Sequence, residues 1–160
     1  PAADIENLRN GFDRPVDGKD NGWYCGKGGY FEYTFDKPEY VEEIRLVFDS
    51  DLNRGMEIER VKTEEDEYDR DVMASPEFLR PTKSNTLLSE KEVFLPGTLV
   101  SGFTVECFGD SGEHVCRKLV EGNSKRLSVL KLQVKAKKIR VTIDKTYGFY
   151  PTHIFSATVR

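Results

Sequence analysis

Two histidines, His114 and His153, and three cysteines, Cys25, Cys107 and Cys116, are the residues best suited to catalysis in this 160-residue chain. Their spacing assembles none of the usual devices. The histidines lie far apart, and no serine–histidine–aspartate or cysteine–histidine set can be drawn without assuming a geometry. No paired Cys/His spacing points to zinc. Glu64-Glu65-Asp66-Glu67 offers carboxylates, but such runs usually form a solvated face, and paired-carboxylate chemistry needs a cleft. His114 beside a hairpin reads as structural or exposed. The chain therefore reads as a domain with no catalytic residues of its own.

A binding chemistry is better supplied. Flat aromatic rings pack against pyranose C–H groups, and planar polar groups grip hydroxyls. Residues of these types fall in the segments between the candidate strands. Trp23 and Tyr24 precede the first clear strand, and Asp51, Asn53 and Arg54 follow the run at 44–48. Tyr147 and Tyr150 lie between the last two strands, and His153 follows Tyr150-Pro151 as a further candidate ligand contact. Each also has a packing alternative. Trp23 can pack structurally, and Asp51, Asn53 and Arg54 can cap a turn or form a local ion-pair network.

The elements that must position these residues are strands. Phe31, Tyr33 and Phe35 alternate with polar neighbours, as do Ile44, Leu46 and Phe48, and Phe103, Val105 and Cys107. This two-residue period, with β-branched and aromatic residues concentrated in the runs, is the signature of half-buried strands. Asp36-Lys37-Pro38 reads as a turn, and Gly109-Asp110-Ser111-Gly112 as a hairpin turn. Val115 to Val120 is the return strand. Runs at 127–134 and 139–143, joined by Lys135-Ala136-Lys137, and a last run at 154–159 complete seven or eight short strands. That count with polar turns predicts an all-β sandwich, and 160 residues suit a single domain, 1–160. Between 52 and 99 the alternation breaks down. This segment is expected to be a long loop insertion, with a short helix or solvated loop at 62–71 and a short hairpin around 93–95. It either covers a sheet edge or serves as a binding loop.

Composition narrows the partners. The net charge is −4 and the basic residues are spread along the strands. That argues against nucleic acid and against electrostatic binding to anionic lipid. Apolar runs are far too short for a membrane span. Residue 1 is proline and no apolar stretch follows it, so no signal peptide is expected in this stretch. Three unevenly spaced cysteines do not make a disulfide framework. Cys107 and Cys116 flank the hairpin, and a turn at Asp110-Ser111 sets them diagonally, a marginal distance for a bridge.

Several motifs together resemble a known family. The second half reads Ser101-Gly-Phe-Thr-Val-Glu106, Gly109-Asp-Ser-Gly112, Gly122-Asn-Ser-Lys-Arg126 and Lys135-Ala-Lys-Lys-Ile-Arg-Val-Thr-Ile143. The first half contributes Asp20-Asn-Gly-Trp23 and the aromatic strand from Tyr30. This resembles the galactose-binding-like domains of discoidin and coagulation-factor C type. Asn10-Gly-Phe-Asp-Arg-Pro15 with Phe48-Asp-Ser-Asp-Leu-Asn-Arg54 is similar to the C-terminal region of bacterial FAD-dependent oxidoreductases. The resemblance implies a jelly-roll β-sandwich and a structural calcium near the N-terminal loop, for which Asp13, Asp17 and Asp20 offer hard oxygens. Ser156 stands where related domains often carry a glutamate ligand. No flavin site is expected in this chain, since Gly26-Lys-Gly-Gly29 leads into a strand and not a helix.

Three readings stay open. The chain is a non-catalytic carbohydrate-binding module appended to a larger bacterial enzyme. Alternatively it is a structural accessory domain packed on a flavin-dependent catalytic domain, or an adhesion module using Phe78-Leu79 and Phe149-Tyr150. The partner is accordingly a glycan or an attached catalytic domain. Glycan binding implies a secreted protein, and membership of a flavoenzyme implies a cytoplasmic one.

Overall fold

Alternation of apolar and polar residues gives six antiparallel strands in the computed structural model, which describes residues 4–50, 95–148 and 151–160. They are β1 (Trp23–Cys25), β2 (Tyr30–Phe48), β3 (Val100–Phe108), β4 (His114–Val120), β5 (Leu127–Thr146) and β6 (Thr152–Val159). A 3-10 turn, Ile5–Arg9, precedes them and buries Leu8. The hydrogen-bonded order is β1-β6-β2-β5-β3-β4. Among the described residues no helix is long and apolar enough to cross a membrane.

Two long strands make this one sheet into two layers. β2 and β5 pair along their length, but each half of the pair has its own neighbour. The first half of β2 lies on the second half of β5, from Tyr30↔Thr142 to Thr34↔Lys138, and β3 extends that layer through Phe103↔Ile143 and Val105↔Val141. The second half of β2 lies on the first half of β5, from Val41↔Val134 to Val47↔Leu127, and β6 extends that layer. The inner faces then meet. Phe48 of one layer packs on Phe103 of the other with ring centroids 5.3 Å apart. The Tyr33 hydroxyl donates across the layers to the Ala157 carbonyl.

The expected turns at 36–38 and 135–137 are not turns: both strands run straight through them. The register shifts between Thr34 and Glu39, so the extra residues around Pro38 bulge out. A proline cannot donate to a ladder but is tolerated at a bulge. A second shift falls between Val41 and Glu43, where Gln133 of β5 takes a left-handed φ of 52°. Bulges bend a strand without reversing it, which is how six strands cover ground expected of seven or eight. Ala136, expected in a connection, is fully buried at the bend.

The inward positions predicted by alternation form the core. Ile44, Leu46, Phe48, Phe103, Val105 and Cys107 are each 0% exposed. The hairpin at 109–112 forms as expected, with Gly109 N–H donating to the Glu113 carbonyl at 2.8 Å and Gly112 at a φ of 83°. The connection is one residue longer on the β4 side, and a bulge follows between Cys107 and Phe108. Cys107 therefore stands directly opposite Cys116, not diagonal to it. All three cysteines are free thiols. Leu95 and Leu99 already pack into the sandwich. The remainder of the expected insertion, 52–94, lies outside the described residues.

Outside the bend, Glu43 is gripped by Arg45 at 2.6 Å and by Lys131 of the paired strand at 2.7 Å. These hydrogen bonds, Lys131 first, hold the carboxyl at about 2 against its ordinary 4.5. A depressed carboxylate stabilises the fold above its unfolded value, and that contribution fades as pH falls from about 4.5 to about 2. Replacing Glu43 with Gln is expected to flatten the acid limb of stability plotted against pH, measured by urea unfolding. An acid limb as steep as that of the unaltered chain would show that this latch is idle.

Candidate functional site

β6 begins where the alternation of buried and exposed residues gives way to four buried residues in a row, Thr152 to Phe155. The first of them ties neighbouring loops together. Thr152 Oγ1 donates to the Thr98 carbonyl at 2.9 Å. Beside it, Tyr147 N–H donates to the Leu99 carbonyl at 3.1 Å, and Gly148 N–H to that of Gly97 at 3.0 Å. Phe48 N–H donates to the Arg126 carbonyl at 2.8 Å. The exit of β2, the approaches to β3 and β5, and the described ends of the β5–β6 connection thus gather at one end of the sandwich.

His153 is the centre of that end. It is 1% exposed and its two ring nitrogens face two carboxylates. Nδ1 lies 3.0 Å from Asp49 Oδ2, and Nε2 lies 2.9 Å from Asp20 Oδ1. Asp20 approaches Nε2 without the alignment of a hydrogen bond. Tyr24 stacks flat on the imidazole at 4.1 Å and 6°, and donates its hydroxyl to Asp20 Oδ2 at 2.6 Å. Phe155 closes the other side at 4.3 Å. The main chain adds a link, Asp49 N–H to the His153 carbonyl at 2.9 Å.

The cluster works as a clamp. Buried charged groups persist when paired and hydrogen-bonded, and here the pairing joins segments far apart in sequence. Asp20 belongs to the N-terminal loop, Asp49 to the exit of β2 and His153 to β6. The same loop is fastened by Asn7 Nδ2 to the Gly22 carbonyl at 3.1 Å and by Asn21 Nδ2 to the Arg14 carbonyl at 3.2 Å. Arg126 also reaches the Asp13 carbonyl, and its guanidinium lies over the Phe155 ring at 5.5 Å.

The sequence-predicted residues separate by position. His153 and Trp23 both turn inward. Trp23 packs against the core, edge-on to Phe31 with centroids 5.9 Å apart. Its strand pairs Trp23 with Ile154, and this register points the indole at the core. Tyr147 remains outward and is 39% exposed. Asp51, Asn53, Arg54 and Tyr150 lie outside the described residues.

The three carboxylates proposed for calcium do not fit one. Asp13 is held by Arg14 at 3.0 Å, and that hydrogen bond keeps its carboxyl below the usual range. Asp17 is exposed and has a left-handed φ of 52°. Both oxygens of Asp20 already meet Tyr24 or His153. Among the described residues no group of three His, Cys, Asp or Glu side chains is placed to hold a metal ion.

Sequence reasoning gave no role to Gly22 or Asp49. Gly22 lies inside the quoted Asp20-Asn-Gly-Trp23 run, which Tyr24 follows directly, and a glycine there was the available signal. The Asp49–His153 contact spans 104 residues, and no local pattern encodes it.

No protein-family model matches the sequence, and no curated protein matches it. Solved structures do share its fold. A family 32 carbohydrate-binding module of Streptococcus pneumoniae EndoD aligns with a TM-score of 0.59 and 13% identity, over 100% of this chain and 86% of that one. The lectin domain of lectinolysin, complexed with Lewis B antigen, aligns at 0.56 and 14% over 99% and 84%. The family 32 module of C. perfringens NanJ, in complex with galactose, aligns at 0.53 and 10% over 98% and 84%. At these identities the likeness is one of fold. The chain has the galactose-binding-like β-sandwich fold expected of it.

The clamp generates a direct expectation. A β-carbon on Gly22 would sit 1.9 Å from His153 Nε2, whereas one on Gly26 meets nothing within 4 Å. Overpacking of this kind costs about 1–3 kcal/mol. Gly22→Ala is expected to lose roughly that much by chemical denaturation and Gly26→Ala much less. Equal effects of the two changes would contradict the tight seating of His153.

Proposed function

We propose that this chain is a non-catalytic glycan-binding module, appended to a larger bacterial enzyme, and that it holds sugar at the loop end organised by His153. The observation that carries the reading is the fold likeness. It spans 98–100% of the chain against the family 32 carbohydrate-binding module of EndoD, the lectin domain of lectinolysin complexed with Lewis B antigen and the family 32 module of NanJ in complex with galactose.

Local chemistry supports the same end. Tyr147 presents a partly exposed ring on a loop pinned by Leu99 and Gly97, and a pinned ring costs little ordering on binding. Asp51, Asn53, Arg54 and Tyr150 lie outside the described residues, and by residue type alone they are suited to a pyranose. His153 and Trp23 act behind this surface as supports and not as contacts.

A glycan array followed by calorimetry with galactose, N-acetylgalactosamine and fucosylated oligosaccharides tests the reading. Binding is expected, and Tyr147→Ala is expected to weaken it by about tenfold, the loss of one stacking contact of roughly 1.4 kcal/mol. Silence across the array would overturn the module reading and favour an accessory domain. Binding indifferent to Tyr147 would move the site away from this end.

A further inference from the structure

Cys107 and Cys116 face each other across the β3–β4 ladder, and both belong to the inner side of the layer. Cys107 is fully buried, and Cys116 is partly exposed and packs against the same core. Directly opposed residues of an antiparallel pair have Cα atoms roughly 4.5–5.5 Å apart, within the ~4.4–6.8 Å that a disulfide spans. Burial, then the charge and hydrogen bond of the neighbouring Cys116, push the Cys107 thiol up to about 12. Cys25, the third thiol, lies on β1 opposite Thr152 and has no such partner in the register.

The geometry points to a reversible cross-strand disulfide between Cys107 and Cys116 that staples β4, the last strand of the described sheet, onto β3. A small-molecule disulfide of the glutathione type is the oxidant. The Cys116 sulfur, as thiolate, attacks one sulfur of that disulfide and expels one glutathione thiolate. Cys107 then loses its proton and attacks the Cys116 sulfur, expelling the second. Two protein thiols and one oxidised glutathione become one protein disulfide and two reduced glutathiones. The roles follow from exposure: Cys116 is reachable by the oxidant, whereas buried Cys107 is reached only from Cys116 across the ladder, and its raised pKa makes the resolving step the slow one.

The staple closes a short loop across the Gly109–Glu113 turn. Removing that freedom from the unfolded chain is expected to raise Tm on the order of 5 °C. The test equilibrates the chain in glutathione buffers of rising oxidised fraction and reads three quantities. Thiol titration after denaturation is expected to fall from three free thiols to one. Non-reducing peptide mapping is expected to join Cys107 to Cys116, and Tm is expected to rise. Cys116→Ser, at the partly exposed position, is expected to fold, to keep its thiols and to lose the Tm shift. Cys25→Ser is expected to retain both the bridge and the shift. A glutathione adduct resting on Cys116, a bridge involving Cys25, or three thiols persisting in fully oxidising buffer would each overturn the proposal.

Discussion

Everything in this fold depends on the bending of two long strands. β2 and β5, at 19 and 20 residues, are more than three times the usual strand length of about 5–6, and neither could bury one face alone along its whole course. The bulges around Pro38 and at Gln133 swing one half of the pair over the other. That movement brings Phe48 onto Phe103 and places fully excluded side chains from both layers in a single core. A bulge costs ladder hydrogen bonds locally, and the apolar area it lets the layers bury outweighs that loss.

The loop end follows from the same bend. Folding the layers together brings the exit of β2 beside the start of β6, so Asp49 and His153 meet although they lie 104 residues apart. The N-terminal loop then closes over the imidazole through Asp20 and Tyr24. His153 thus ties the N-terminal loop and the exit of β2 to β6 through its two carboxylate neighbours. Loops fastened from inside can present Tyr147 in a fixed position, as a sugar platform must be fixed to bind without a large ordering cost.

Much of this was legible from the residues alone. The alternating triplets 44, 46, 48 and 103, 105, 107 are among the most deeply buried side chains, because a two-residue period leaves an inward face little choice. The Gly109–Gly112 turn was equally plain. The reading failed where turn chemistry does not reverse the chain. Asp36-Lys37-Pro38 has the composition of a turn, but its partner strand continues alongside and converts it into a bulge. The cysteine register slipped for a related reason, since an extra residue near the hairpin is invisible to a count of alternating positions. At the loop end, residue types pointed to the right segments. They did not separate the outward Tyr147 from the inward Trp23 and His153, because direction is set by long-range pairing of β1 with β6.

The central claim is that one folded-over sheet makes one cooperative core. Native-state hydrogen exchange tests it most directly, comparing amides of 41–48 in one layer with those of 139–143 in the other. Both sets should exchange only through the same global opening, and Phe48→Ala should lower their protection by a similar factor. Two layers that open at different free energies, with Phe48→Ala weakening only its own, would contradict the account.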